Sequence, residues 1–296
     1  MDLEGRRQST NVEDRRGMSG GAKLGLGGGA TGLIMMLLLM LCQGGGGGLD
    51  LGSILGQLGG GNMVQTQSGE GRELTQEEQE LATFSAQILA GTEDVWTEIF
   101  KQQGWGEYTP PTLVFYDTQT STGCGVGQSA MGPFYCSADQ KLYIDLSFFQ
   151  TMRQQLGADG DFAYAFVIAH EVGHHVEYLT GTLGKAHQQM SQYGQNSAKS
   201  NEISVRLELL ADFYAGVWAH HDNKRFKSLQ PGDLEEAIDC AQKIGDDWLQ
   251  RKAQGSAVPE TFTHGTSAQR MRWLKLGYQT GDVRQGRTFD LPYNQL

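Results

Sequence analysis

The sequence predicts an α+β domain behind one N-terminal membrane helix. Three observations carry that reading. Of 42 glycines in 296 residues, 21 fall before residue 72, so composition separates an unusual N-terminal part from an ordinary globular remainder. Two short apolar runs with strand character, Leu113 to Tyr116 and Leu142 to Leu146, precede a long series of helical patterns, and a small sheet followed by packed helices is an α+β arrangement. Leu24 to Cys42 runs for nineteen residues without a charge.

Composition also limits function. Lys+Arg is 23 against Asp+Glu 34, a net charge of −11, so the chain lacks the basic surface that phosphate binding needs and no nucleic-acid partner is expected. Five Trp, ten Tyr and twelve Phe exclude a fully disordered chain. Four cysteines exclude a disulfide-dense miniprotein but allow one or two bridges.

Residues 1–23 contain Arg6, Arg7, Arg15, Arg16 and Lys23 and read as a basic cytoplasmic N-terminus. At ~1.5 Å rise per residue, residues 24–42 span roughly 28 Å, close to the hydrocarbon thickness of a bilayer. No Lys or Arg follows until Arg72, so the positive-inside rule orients this segment N-inside and C-outside. A cleaved signal peptide is a competing reading, as is a lipoprotein signal ending at Cys42, although Leu41 stands where a small residue is wanted. Residues 43–71 hold twelve glycines and read as a flexible tether, leaving residues 72–296 as the folded domain.

Thr75 and Glu78 form the Thr-x-x-Glu capping box of a first helix, in which Leu81, Phe84, Ile88 and Leu89 recur at helical spacing. Gly91-Thr92 is expected to interrupt it before Val95, Trp96, Ile99 and Phe100 continue the apolar face to Gly104. Pro110-Pro111 stops any helix ahead of the first strand. A Gly-rich loop with Cys124 and Cys136 joins the two strands, and helices are expected over 147–156, 161–180, 200–221, 233–253 and 267–277.

The strongest chemical signal is His170-Glu171-Val172-Gly173-His174, at the end of the apolar run Phe166-Val167-Ile168. On a helix, positions i and i+4 project from one face, so both imidazoles can reach one Zn²⁺ while Glu171 serves as a base. A third ligand is needed. Arg206-Leu207-Glu208-Leu209-Leu210-Ala211-Asp212 sets two acids at i and i+4 on an apolar helix, where unpaired carboxylates are costly. Glu208 is assigned as the ligand and Asp212 as the acceptor for the N–H of a ligand histidine. An ion pair with Arg206 is the competing account of these acids. His187, His220 and His221 are alternative ligands, and His175 is expected on the helix surface.

Together with Gly132-Pro133-Phe134-Tyr135-Cys136, Ala215-Gly216-Val217-Trp218 and Phe262-Thr263-His264-Gly265-Thr266-Ser267, these motifs resemble the bacterial neutral zinc metallopeptidase family, the YpfJ-like proteins. The resemblance runs nearly end to end. It implies a zincin-like catalytic domain, a zinc cofactor, a peptide or protein substrate and a place in the bacterial cell envelope. The expected localisation is the inner membrane, single-pass, with the catalytic domain on the extracytoplasmic side. A non-catalytic envelope protein that uses the fold for binding or assembly is the alternative, against which the intact Glu171 counts.

In an oxidising compartment a Cys124–Cys136 bridge is expected, with pairing to Cys240 or free buried thiols as the alternatives. The expected chemistry is attack of a zinc-activated water on the scissile carbonyl, with Glu171 as general base. Metallopeptidases of the gluzincin type, which this chain resembles, often take an oxyanion donor from far downstream. That makes His264 the first candidate for this role, ahead of Tyr278 and Tyr293, against the alternative of a surface histidine beside a helix capped by Thr266 or Ser267. An extended peptide is expected to pair with a strand edge at Leu142 to Leu146.

Overall fold

Two mostly apolar strands, Thr-Leu-Val-Phe and Lys-Leu-Tyr-Ile, form the centre of the sheet. Thr112–Phe115 and Lys141–Ile144 pair in parallel, with Leu113 opposite Leu142 and Phe115 opposite Ile144. The computed structural model describes residues 1–17, 72–194 and 196–296. Its strands are β1 (Val12–Asp14), β2 (Thr112–Phe115), β3 (Gln119–Thr122), β4 (Gly125–Gln128), β5 (Phe134–Cys136) and β6 (Lys141–Ile144). The main sheet has the order β1-β2-β6-β5, with β5 antiparallel to β6, while β3 and β4 form a separate hairpin. Side chains alternate between the faces of a strand. Leu113, Phe115, Leu142 and Ile144 accordingly join the main core, and Val114, Tyr143 and Cys136 join a smaller cluster.

The helices are α1 (Gln76–Gln103), α2 (Ser147–Thr151), α3 (Asp161–Leu179), α4 (Thr182–Tyr193), α5 (Ala198–Phe226), α6 (Asp233–Lys243), α7 (Asp246–Gln254) and α8 (Ser267–Thr280). The α+β expectation is met. The capping box of α1 forms as expected: the Thr75 hydroxyl accepts from the Glu78 amide and the Glu78 carboxylate accepts from the Thr75 amide. Gly91, however, does not break α1. A helical glycine costs only about 1 kcal/mol against alanine, and a Cβ here would lie 2.9 Å from the Arg6 guanidinium and from the Asp222 carboxylate. The helix expected over 147–156 continues past α2 as a π-turn, Met152–Leu156. The one expected over 233–253 divides at Gly245, which packs against Ser267.

Two helix crossings position the site. At Gly173 of α3, a Cβ would lie 2.9 Å from both the Cα and the carbonyl oxygen of Ala211 on α5. At Gly216 of α5, a Cβ would lie 2.2 Å from the Leu274 carbonyl oxygen on α8. Backbone thus meets backbone at both crossings, which only a missing side chain permits.

The N-terminal residues depart from expectation. β1 pairs in parallel with β2, Val12 opposite Leu113. Arg6 bonds Asp222 at 2.7 Å, and Arg7 bonds Glu93 at 2.9 Å and Asp94 at 2.6 Å. Gly17 and Arg72 meet on one carboxylate: the Gly17 amide donates to Asp117 at 2.9 Å and the Arg72 guanidinium at 2.7 Å. Residues 1–17 therefore belong to the same folded unit as the residues from 72 onward. A single crossing of a bilayer between them, with residues 1–23 cytoplasmic and 72–296 outside, is incompatible with β1. The arginines that suggested an inside flank are spent on ion pairs within the domain. The expected membrane segment (24–42) and tether (43–71) lie outside the described residues. Among the described residues, no helix is long and apolar enough to cross a membrane.

Candidate metal centre

The middle of α3 carries His170, Glu171 and His174, and the facing turn of α5 carries Glu208 and Asp212. The Gly173–Ala211 crossing lies between these groups and brings them together. His170 Nε2 is 3.3 Å from Glu208 Oε2, and His174 Nε2 is 3.5 Å from Glu208 Oε1. The three donors lie within 4.8 Å of one another. Tetrahedral zinc with bonds of about 2.0–2.2 Å separates its ligand atoms by about 3.3–3.6 Å, so the spacing to Glu208 suits that ion.

Each histidine is held from behind. His170 Nδ1 is 2.8 Å from Asp212 Oδ1, as the sequence predicts, and His174 Nδ1 is 2.9 Å from Glu177 Oε2. Carboxylates on Nδ1 fix the tautomer and leave each Nε2 turned toward Glu208. The partner of Asp212 is not Arg206, which instead donates to the carbonyls of Thr288 and Leu291. Asp212 receives two hydrogen bonds of 2.8 Å from Arg270 of α8. Burial raises the Asp212 carboxyl, but Arg270 and His170 outweigh it and hold the group below the ordinary range. Burial also pushes Glu177 up, to about 7. Glu171 rises through burial against the opposing pull of His170 and His174.

Glu177 and Arg270 escaped the sequence reading, although the reasoning that found Asp212 applies to both. Glu177 is an acid at i+3 from a ligand on an apolar helix, and Arg270 is a base beside Trp273 and Leu274.

His175 corrects an expectation. It is fully buried, with Nδ1 2.9 Å from the Tyr135 hydroxyl and Nε2 2.8 Å from the Thr109 carbonyl oxygen. It faces away from the ligands, as its position on the helix requires, but β5 and the loop before β2 cover that side. Burial lowers its pKa to about 4. His220 and His221 bond the backbone carbonyls of Tyr278 and Gly281 at 2.8 Å, and His187 lies on α4 apart from the donor group.

His264 lines the same cavity as the three donors and Glu171. Asp246 organises its loop: one carboxylate oxygen accepts from the amides of Thr263, His264 and Gly265 at 2.8, 2.7 and 3.0 Å, and the other is 3.2 Å from His264 Nδ1. Thr266 caps α8 in a capping box with Gln269. Cys124 and Cys136 form the expected disulfide, while Cys240 is buried and free. The bridge closes a loop whose residues 129–135 form one wall of the cavity.

A helix-borne histidine pair completed by a glutamate from a neighbouring helix defines a donor group able to hold one metal ion. More particularly, the chain belongs to the family described as "Putative neutral zinc metallopeptidase", whose model matches residues 1–289. The "Uncharacterized protein YpfJ" of Escherichia coli (strain K12) is 49% identical over 294 residues, 98% of this chain and 99% of that protein. The "Uncharacterized protein Rv2575" of Mycobacterium tuberculosis is 42% identical over 192 residues, 62% of this chain and 63% of that protein. No solved structure matches the chain significantly.

Proposed function

We propose that this protein is a zincin-like zinc metallopeptidase that hydrolyses peptide bonds. The observation that carries the reading is Glu171 in the cavity of a His-His-Glu donor set. Three protein ligands leave a coordination position for chemistry, and the adjacent carboxylate serves as a base. His170, His174 and Glu208 would hold the ion, which when bound would supply Lewis acidity at a carbonyl oxygen. Glu171 removes a proton from the attacking water and returns it to the leaving amine. His264, protonated on both ring nitrogens, donates from Nδ1 to Asp246 and from Nε2 to the carbonyl oxygen as that oxygen gains charge. Asp212 and Glu177 hold the ligand rings, and Arg270 keeps Asp212 ionised.

The strand edge offered to an extended substrate is β5, not Leu142 to Leu146. β6 is paired on both sides, whereas β5 ends the sheet and its Phe134 and Tyr135 line the cavity. We place the domain on the extracytoplasmic side of a bacterial membrane. Its disulfide suits an oxidising compartment.

The test is a comparison of envelope proteins from cells carrying the native protein or Glu171→Gln, by mass spectrometry of new N-termini. Cleavages present only with the native protein are expected. Identical N-termini in both, with zinc bound to both proteins, would overturn the peptidase reading.

A further inference from the structure

The cavity at the donor group has a volume of ≈ 390 Å³ and extends well beyond the metal ligands. We propose that its inner part is a subsite for a large apolar side chain next to the bond that is cut, an inference that rests on the zinc peptidase reading.

The walls come from four places in the fold. Phe148 stands on α2, and Met152 and Leu156 stand at the two ends of the π-turn that follows it. π-turns recur at functional sites because the extra residue re-aims the side chains around it. Val167 lies one turn before Glu171 on α3, on the same face of the helix, so the apolar wall is continuous with the base. Ile244, at the break between α6 and α7, and Leu249 of α7 add to the apolar lining.

The charge around the cavity points the same way. Apart from His170, Glu171, His174 and Glu208, the only lining side chains among the described residues that carry charge near neutral pH are His264 and Arg270. The guanidinium of Arg270 is committed to Asp212, Nδ1 of His264 is committed to Asp246, and its Nε2 is reserved for the carbonyl oxygen of the bond that is cut. An acidic or basic side chain entering the cavity would lose its water without gaining a counter-charge, whereas an apolar one loses nothing by leaving water. The proximity of this wall to Glu171 fixes the occupant as a residue flanking the scissile bond rather than a distant one.

The experiment uses full-length, zinc-loaded protein and a series of peptide hydroxamates. These chelate the metal and differ in one side chain: benzyl, isobutyl, methyl, carboxymethyl or aminobutyl. Equilibrium binding is read directly, without turnover. Benzyl and isobutyl are expected to bind about tenfold or more tightly than methyl, and the two charged side chains more weakly than methyl. Leu156→Lys, at a half-buried position, should erase the advantage of benzyl and favour carboxymethyl. Phe148→Ala, in another wall, should erase the benzyl advantage alone.

Equal binding of methyl and benzyl to the native protein overturns the proposal, as does binding of none of the series or an unchanged ranking in both variants. A protein that ranks the series as expected but cuts no peptide keeps the apolar subsite and loses the peptidase reading. One that cuts peptides without the ranking loses the subsite only.

Discussion

Gly173→Ala tests whether the metal centre depends on the approach of two helices. The added Cβ would sit 2.9 Å from the Cα and carbonyl oxygen of Ala211 and 3.2 Å from its Cβ. Carbon contacts are optimal at about 3.5–4.0 Å, so α3 and α5 must separate locally by roughly 0.6–1 Å. Glu208 is one turn from Ala211, and His170 and His174 flank Gly173, so the displacement falls on the donor set itself. Spacings of 3.3 and 3.5 Å between the imidazoles and Glu208 would widen toward ~4 Å, beyond the ~3.3–3.6 Å that tetrahedral zinc accepts. Stability has opposing contributions. Alanine gains about 1 kcal/mol of helix propensity, and overpacking costs about 1–3 kcal/mol. Metal affinity is therefore the sharper readout, and a loss of about tenfold or more is expected in competition with a chelating dye. Melting of the metal-free variant provides the control. Native zinc affinity together with a metal-free protein stabilised by about 1 kcal/mol would refute the reasoning, because that is the outcome for a glycine facing open space.

Glu208→Ala should abolish stoichiometric zinc binding, and Glu177→Ala should weaken it by about 10–100-fold; full zinc occupancy in a folded Glu208→Ala protein would remove it from the ligand set. His264→Ala should leave zinc content and Tm nearly unchanged and lower kcat by about 10²–10³, with KM changed far less; a loss under about threefold in kcat/KM would assign His264 to loop structure alone. His175 has a folded pKa of about 4 against an ordinary 6.5, so the unfolded chain takes up its proton first as pH falls. Its contribution is complete above pH ~7 and diminishes from pH ~6.5 toward ~4, by about 2 kcal/mol between pH 7.5 and pH 5. Urea unfolding in the presence of chelator should show that loss in the native protein and not in His175→Gln; parallel pH slopes would contradict it.

The centre of the site was legible because its grammar is local. His170 and His174 share a helix face by spacing alone, and Glu208 and Asp212 declare themselves as acids on an apolar helix. What surrounds them was not legible where a distant element decides. His175 is on the far face of the same helix, and only the position of β5 and Thr109 makes that face an interior. Gly91 resembles a helix break until Arg6 and Asp222 occupy the space beside it. β1 is three residues in a polar segment, and its strand conformation follows from the open edge of β2 rather than from its own composition. The same holds for β5, which lay within a Gly-rich loop until the disulfide and β6 fixed it.

The meeting of Gly17 and Arg72 on Asp117 bears on how the protein can be handled. A truncated chain starting at residue 72 looks natural from the sequence, yet it would strip β1 from the sheet and leave the edge of β2 without a partner, with Arg6 and Arg7 gone from their carboxylates. An unpaired strand edge invites intermolecular pairing, so such a truncation should aggregate rather than behave as an isolated domain. Because the chain leaves and re-enters the domain at one carboxylate, residues 18–71 can instead be excised and position 17 joined to position 72 through a few glycines. That shortened protein retains the whole sheet, and it is the form in which metal binding and hydrolysis can be measured free of the apolar segment.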